Sequence, residues 1–596
     1  MTEHLKISAA DIVSALYGDK LPSDNQLGPD DFLLNTPPAD FPGDLTLVLF
    51  PIAKRVSANP MELGAALGEK LMERHDGLAR FEVVKGFLNL TYSDSYRLGL
   101  FRELLQDMDT EFPKPGADAP AVLLEYPSPN TNKPLHLGHL RNVFLGHSVS
   151  RILEASGKRV IPVCLFNDRG IHICKSMVAR QRFMPDSTPE SSGMKPDKFV
   201  GNCYVKFSDE YKAQVNELMA RGMAKEQAEK EAPIQKEVEQ MLIQWEENDP
   251  EVRTLWAEMN GWCYAGMQTT FDRLGIRFEK KYYESDIYNI GKETVKEGLE
   301  KGVFFTRPDG SVWVNLTDTG LDEKVVLRAN GTSIYITQDI AIAYQKQKDF
   351  SFGQSIYVVG NEQDYHFKVL FEILRRLGMK AADRLYHLSY GMVELPSGKM
   401  KSREGTVVDA DDLLDEMTEI ARQKAEEAGK SGDFTGEEKM KLYADIGYGA
   451  LRYFILKVDP KKRMIFNPEE SIDMQGNTGP FIQYTHARCK SVLRRAEGVG
   501  NDFGGYVPQE KEWKVIRRMA QLPETVSVAA AKLDPSGVAA FAYELAKEFN
   551  QFYQDISILN EPDTGAKAFR LQLTEITANA LKRALYLLGI EAPEKM

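Results

Sequence analysis

The chain has 596 residues, enough for three or four domains, with the 43% hydrophobic and 27% charged content of an ordinary soluble protein. No run approaches the apolar length of a membrane span, and Met1–Lys6 opens no secretory segment, so a cytoplasmic protein without membrane attachment is expected. The net charge of −13 argues against a non-specific nucleic-acid binder, although a large enzyme can still gather its positive charge on one face.

Residues 1 to about 112 mix short strand patterns, Leu45–Phe50 and Phe87–Thr91, with amphipathic helices. Pro113–Pro120 reads as a linker. A strand–helix–strand unit follows. Its first strand contains Val122–Leu124. Its helix carries Leu140, Val143, Phe144, Val149, Ile152 and Leu153 and stops at Gly157. Its second strand is Val160–Phe166. The spacing is that of a right-handed parallel crossover. Between the first strand and the helix lies Pro129–Asn142, which contains His136-Leu137-Gly138-His139. A helix start presents free N–H groups and partial positive charge, which suit phosphates. Glycine lets a flat base approach the backbone, and two imidazoles supply hydrogen bonds that follow a phosphate as its charge moves. This pattern reads as an ATP site built for chemistry at phosphorus.

From about 175 to 262 the sequence is charged and helical, with Pro233 the strong breaker between Tyr211 and Trp245. It reads as a helical insertion on the sheet. Strand patterns return at Val312–Leu316, Val325–Leu327 and Ser355–Val359. A polar loop then carries Lys399, Met400, Lys401, Ser402 and Arg403, and from about 411 the pattern is nearly all helical. Alone, the basic loop is an ordinary solvated turn. Paired with the earlier HxGH element it reads as a cationic loop able to stabilise departing pyrophosphate, since lysine is a point charge on a flexible stem. The five cysteines are scattered with no CxxC pair, so buried thiols are expected and zinc is not.

At this pair of motifs the chain resembles a class I aminoacyl-tRNA synthetase. His136–His139 is similar to the family's HIGH signature, and Lys399–Arg403 is similar to its KMSKS signature. Glu125–Asn130 with Lys133, Gly331–Ile340, Gln363 with His366, and the ending Leu587–Met596 resemble arginyl-tRNA synthetases in particular. The residue chemistry favours the same substrate. Tyr335 and Asp339 are spaced i, i+4 and share one face of a helix, where a carboxylate can accept two parallel bonds from a guanidinium. The resemblance assigns Tyr335, Asp339 and Gln363 to arginine, with Glu284 a further guanidinium contact. It assigns Ser128, Asn130 and His139 to the α-amino and carboxylate end. Lys133, His136, His139 and Lys399 are its catalytic candidates. Gly138, Met400, Lys401 and Ser402 complete an ATP site with His136, His139 and Lys399. Two departures stand out. Ser402 occupies the place of the second KMSKS lysine, a loss for which Lys133 is the expected substitute. Asn167-Asp168-Arg169-Gly170 differs from the family's Gly-Asp-Trp-Gly, with Arg169 unassigned.

Cations Lys461, Lys462, Arg463, Arg488, Lys490, Arg494 and Arg495, followed by Lys511, Lys514, Arg517 and Arg518, interleave with Phe481, Tyr484 and His486. That mixture suits phosphate contact and stacking on unpaired bases. The resemblance aligns the region with an anticodon-binding domain and makes Asn477, Gln483, Tyr484, Arg488 and Lys490 the tRNA candidates.

The expected fold is α/β: a Rossmann-type parallel-sheet catalytic domain with a helical insertion, an α+β N-terminal domain and an all-helical C-terminal domain. The expected bounds are 1–115 for an N-terminal tRNA-contacting domain and 116–410 for the catalytic domain, with its insertion at about 175–330. A helical connection at 411–465 and an anticodon-binding domain at 466–596 complete them. The resemblance implies an arginine–tRNA ligase, a monomer, using ATP as substrate with Mg2+ and no resident metal. Three alternatives compete with it. Another class I synthetase of the cysteinyl or glutamyl type is disfavoured by the absence of paired thiol ligands and by Asp339. A small nucleotidyltransferase needs no helical C-terminal domain. A non-catalytic tRNA-binding protein need not keep an intact HxGH element and Lys399.

Overall fold

The computed structural model describes the chain apart from residues 1, 22–26, 36, 38–40, 42, 109–111, 117, 332–333, 397–407, 428–433 and 497–499. The chain separates into two compact units. One holds residues 111–491, 522–547 and 580–596; the other holds 1–110, 492–521 and 548–579.

The larger unit is organised by five parallel strands: β1 (Ala121–Glu125), β2 (Val160–Phe166), β3 (Lys280–Tyr283), β4 (Phe352–Gly360) and β5 (Leu385–Tyr390). β1 lies at the centre and is buried at every position, as a continuous apolar run in a covered parallel sheet must be. The order β5-β4-β1-β2-β3 reverses direction between β1 and β4. In such a sheet ligands bind in the crevice outside the carboxyl ends of the strands at the switch point.

Helix α1 (Leu137–Ala155) links β1 to β2 and is buried along most of its length. Gly146 makes this possible: a Cβ there would stand 2.2 Å from the Tyr126 ring. The side chain of Asn142 donates to the Val358 carbonyl at 2.6 Å and to the Tyr390 hydroxyl at 3.2 Å, tying α1 to the far half of the sheet. Arg141, also buried, caps the carbonyls of Met392, Pro460 and Lys462 at 2.7–3.1 Å.

The segment expected as one insertion is divided by β3. Before β3, helices including Ile171–Phe183, Pro196–Ala220, Pro233–Glu246 and Pro250–Arg273 close around their own core of Met177, Phe199, Cys203, Trp245 and Cys263. After it, helix Glu284–Glu300 leads to a three-stranded antiparallel sheet, Phe304–Thr306, Val312–Val314 and Lys324–Leu327. Helices α2 (Tyr335–Asp349) and α3 (Asp364–Arg376) flank β4. Beyond the sheet come α4 (Ala410–Glu427), α5 (Gly436–Leu456) and α6 (Gly479–Arg494).

In the smaller unit, a four-stranded antiparallel sheet runs in the order Leu34–Asn35, Leu45–Val48, Phe87–Tyr92, Leu78–Val84. The run expected as a strand through Phe50 is a strand only to Val48, because Pro51 at the second position of helix Phe50–Arg55 suits a helix start. Buried Asp44 accepts the Tyr92 N–H at 2.7 Å, Arg97 at 3.1 Å and the Trp513 indole N–H, so one carboxylate fastens the sheet to helix Glu510–Met519.

Candidate active site

The loop after β1 is stitched to the end of β2. The Asn167 N–H donates to the Pro129 carbonyl at 3.0 Å and the Thr131 N–H to the Asn167 carbonyl at 3.2 Å. The Asn167 side chain holds the Ser128 carbonyl at 3.0 Å. This leaves the exposed side chain of Asn130 and the half-buried hydroxyl of Ser128 on the carboxyl edge of the sheet.

The two histidines cap α1 reciprocally. The Gly138 N–H donates to His136 Nδ1 at 3.1 Å, and the His136 N–H donates to His139 Nδ1 at 3.2 Å. The arrangement is a capping box with imidazoles in place of the usual hydroxyl and carboxylate. With each Nδ1 accepting from backbone, the proton of a neutral ring sits on Nε2. Burial and the nearby Lys133 push His136 down to about 3; burial, His136 and Lys133 hold His139 well below its usual range. Both rings are therefore neutral donors at physiological pH, with centroids 3.9 Å apart and planes tilted by 38°. Gly138 lets the His136 ring fold back, since a Cβ there would lie 3.0 Å from its Cε1.

The residues following the basic loop run against this element. The Leu137 N–H donates to the Val408 carbonyl at 3.3 Å and the Ala410 N–H to the Leu135 carbonyl at 2.9 Å. Asp409 pairs with His136 in an antiparallel bridge. Its carboxylate caps α4 through the N–H groups of Asp411 and Asp412 at 2.8 and 3.2 Å. Lys195 of the helical insertion reaches Asp411 at 2.6 Å, and Arg273 reaches it at 2.9 Å. Lys399, Met400, Lys401 and Ser402 lie outside the described residues.

An acidic group gathers at the ends of β2 and β3. Buried Asp168 accepts from the Tyr264 hydroxyl at 2.7 Å and from the N–H and hydroxyl of Ser285 at 2.8 and 2.6 Å. Glu284, 5% exposed, is pushed up to about 8 by burial, with Asp168 and Asp339 adding to the rise and Arg169 opposing it. Asp339 on α2 accepts from His366 Nε2 at 2.6 Å. Tyr335, one turn earlier, is 71% exposed, and Gln363, before α3, is also exposed. Two buried acids, Asp168 and Glu284, close enough to a half-buried third to raise the carboxyl of Glu284, suit a cationic ligand. Besides its charge on Glu284, Arg169 bonds Glu246 at 2.8 Å and lies over Trp245 and Tyr288 at 5.1 and 4.5 Å, a packing role for the unassigned residue.

Sequence reasoning missed Asp168, the His366 bond to Asp339, and a buried pair between Lys346 of α2 and Glu125 of β1. The signal for Lys346 was its position seven residues after Asp339, on the same helical face.

On α6, Tyr484 and Arg488 are half-buried neighbours, with the guanidinium 4.8 Å over the ring. Lys490 lies 3.9 Å from Glu594, and exposed Asn477 accepts from the Tyr453 hydroxyl at 2.5 Å. Gln483 departs from expectation. It is fully buried, and its amide donates to the carbonyls of Asp445 and Glu591 at 3.0 and 2.9 Å, so it packs the interior of this unit. His486 is buried likewise against the Pro593 carbonyl at 2.9 Å. All five cysteines are buried thiols. Among the described residues no group of three or more His, Cys, Asp or Glu is arranged to hold a metal, and no helix is long and apolar enough to cross a membrane.

The doubly wound sheet with its reciprocal histidine cap at the switch point defines a class I aminoacyl-tRNA synthetase fold. Residues 103–467 match the family model for the class I (R) tRNA synthetase catalytic domain, 3–92 that for the arginyl tRNA synthetase N terminal domain, and 482–596 that for the DALR anticodon binding domain. The arginine–tRNA ligase of Flavobacterium psychrophilum is 51% identical over 94% of each chain. That of Porphyromonas gingivalis is 48% identical over 100% of this chain and 99% of its own. The chain belongs to the arginyl-tRNA synthetase family. The Thermus thermophilus arginyl-tRNA synthetase structure, 24% identical and spanning 100% of both chains, shares the fold with a TM-score of 0.78.

Proposed function

We propose that this protein is an arginine–tRNA ligase that joins L-arginine to its tRNA in two steps. The arginine carboxylate attacks the α-phosphorus of ATP, forming arginyl-adenylate and expelling pyrophosphate. A carboxylate is already ionised at neutral pH, so this step needs no protein base. The terminal ribose hydroxyl of tRNA, the 2′-hydroxyl by family resemblance, then attacks the adenylate carbonyl and AMP leaves. Catalysis rests on positioning and on stabilising charge at phosphorus.

The observation that carries this reading is the meeting of two opposed sets of groups at the carboxyl ends of one sheet. Neutral Nε2 donors of His136 and His139 stand after β1, and the acids Glu284 and Asp339 stand beside β3 and on α2. The histidines, with Lys133 and Lys399, would take the triphosphate of ATP, which enters as its Mg2+ complex; Gly138, Met400, Lys401 and Ser402 would line the nucleotide. Ser128, Asn130 and His139 would take the arginine head. Asp339, Glu284, Tyr335 and Gln363 would take the guanidinium. Tyr484, Arg488, Lys490 and Asn477 are the candidates for tRNA contact. The same reading takes residues 1–115 as a tRNA-contacting domain, 116–410 as catalytic and 466–596 as anticodon-binding, and the protein as a cytoplasmic monomer.

The test is pyrophosphate exchange into ATP with each of the twenty amino acids, with and without tRNA. Exchange with arginine alone supports the reading. Exchange with another amino acid overturns the specificity, and no exchange under any condition favours a non-catalytic tRNA binder.

A further inference from the structure

Glu125 and Lys346 form an ion pair sealed beneath the site, with side chains 6% and 1% exposed. Neither touches the position proposed for the reacting atoms. Glu125 is the last residue of β1, and its Oε1 accepts the Ser128 hydroxyl at 3.1 Å, while its Oε2 accepts from Lys346. The ammonium also lies 4.1 Å over the ring of Tyr357, which stands opposite Glu125 in the register of β4 with β1. Lys346 belongs to α2, seven residues after Asp339 and eleven after Tyr335, so the three side chains share one helical face.

One carboxylate thus connects the two ends of the proposed arginine pocket. Through Oε1 it holds Ser128, at the amino-acid head. Through Oε2 it holds the helix that presents Tyr335 and Asp339 to the guanidinium. A buried pair of this kind contributes little net stability over an apolar pair of equal volume, and fixing register is its best-attested use. Pocket length is a register problem, because one methylene more or less in a substrate is worth only about 10–200-fold in discrimination, and a small shift of α2 along β1 erases it.

We propose that Glu125–Lys346 is a positioning pair that sets the length of the arginine pocket, and so selects arginine over homologues one methylene shorter or longer. The inference rests on the arginine reading above.

The experiment uses the full chain with tRNA and compares pyrophosphate exchange for L-arginine, L-homoarginine and L-norarginine. The double variant Glu125→Gln/Lys346→Met keeps volume and leaves no lone buried charge. Lys346→Arg keeps the charge and changes the reach. In the double variant the expected result is a fall of about 10–100-fold in kcat/KM for arginine, carried by KM, with the ratio of arginine to homoarginine lowered about tenfold or more and the KM for ATP held within about twofold. Lys346→Arg is expected to shift the same ratio by less. An unchanged ratio in a variant with a native-like melting transition would overturn the proposal, as would a parallel loss for arginine and ATP. If the double variant does not fold, the ratio in Lys346→Arg decides on the same terms. If the unaltered protein exchanges with no arginine at all, the functional reading falls and takes this inference with it. Arginine-specific exchange together with an unmoved ratio sinks the inference alone.

Discussion

At the scale of single residues, the capping histidines make the sharpest chemical statement. Their backbone bonds leave Nε2–H as the outward group, and burial keeps them neutral. His136→Asn retains a side-chain acceptor for the Gly138 N–H and removes that donor. Adenylate formation is expected to slow by about 10²–10³-fold with the melting transition little changed, read by pre-steady-state exchange. Removing charge from the guanidinium partner acts on binding: Asp339→Asn is expected to raise the KM for arginine by about 10–100-fold with a smaller effect on the KM for ATP. Glu284 adds a pH signature. Its carboxyl, pushed up to about 8 mainly by burial, is largely protonated at pH 7 in the free protein. A bound guanidinium favours the ionised form, so binding releases a proton. Arginine affinity is then expected to rise with pH up to about 8 and to level off above it. Glu284→Gln removes the slope; calorimetric titrations in two buffers across pH 6–9 check both points. The histidines stood out through the HxGH motif and Asp339 through its helical spacing from Tyr335, whereas Glu284 was only a weaker candidate. Glu125 stood out only within the Glu125–Asn130 stretch and Lys346 not at all, because nothing in the sequence pairs them until the fold sets α2 beside β1.

At the scale of elements, β1, β2 and β4 were legible as apolar runs and formed where expected. The edge strands β3, Lys-Lys-Tyr-Tyr, and β5, Leu-Tyr-His-Leu-Ser-Tyr, were not, because an edge strand is covered less and its polar positions break the run. On α6 the period of 3.6 settles what proximity to basic residues did not: Ile482, Gln483, His486 and Cys489 fall on the buried face, and Tyr484 and Arg488 fall between. In the smaller unit, Asp44 is a buried polar link between sheet and helix. Asp44→Ala leaves Arg97 and the Trp513 indole without their acceptor, and urea unfolding is expected to report a loss of about 3–5 kcal/mol.

At the scale of the whole molecule, a chain of net charge −13 engages a polyanion only through locally gathered cations. The KM for tRNA is therefore expected to climb steeply with salt, linearly on a double-logarithmic plot, while the KM for arginine changes little. Substrate choice is the central claim. Its most direct test is pyrophosphate exchange across all twenty amino acids in the presence of tRNA. Exchange is expected with L-arginine and with no other amino acid; exchange driven by a different one, or none at all, would contradict an arginine–tRNA ligase.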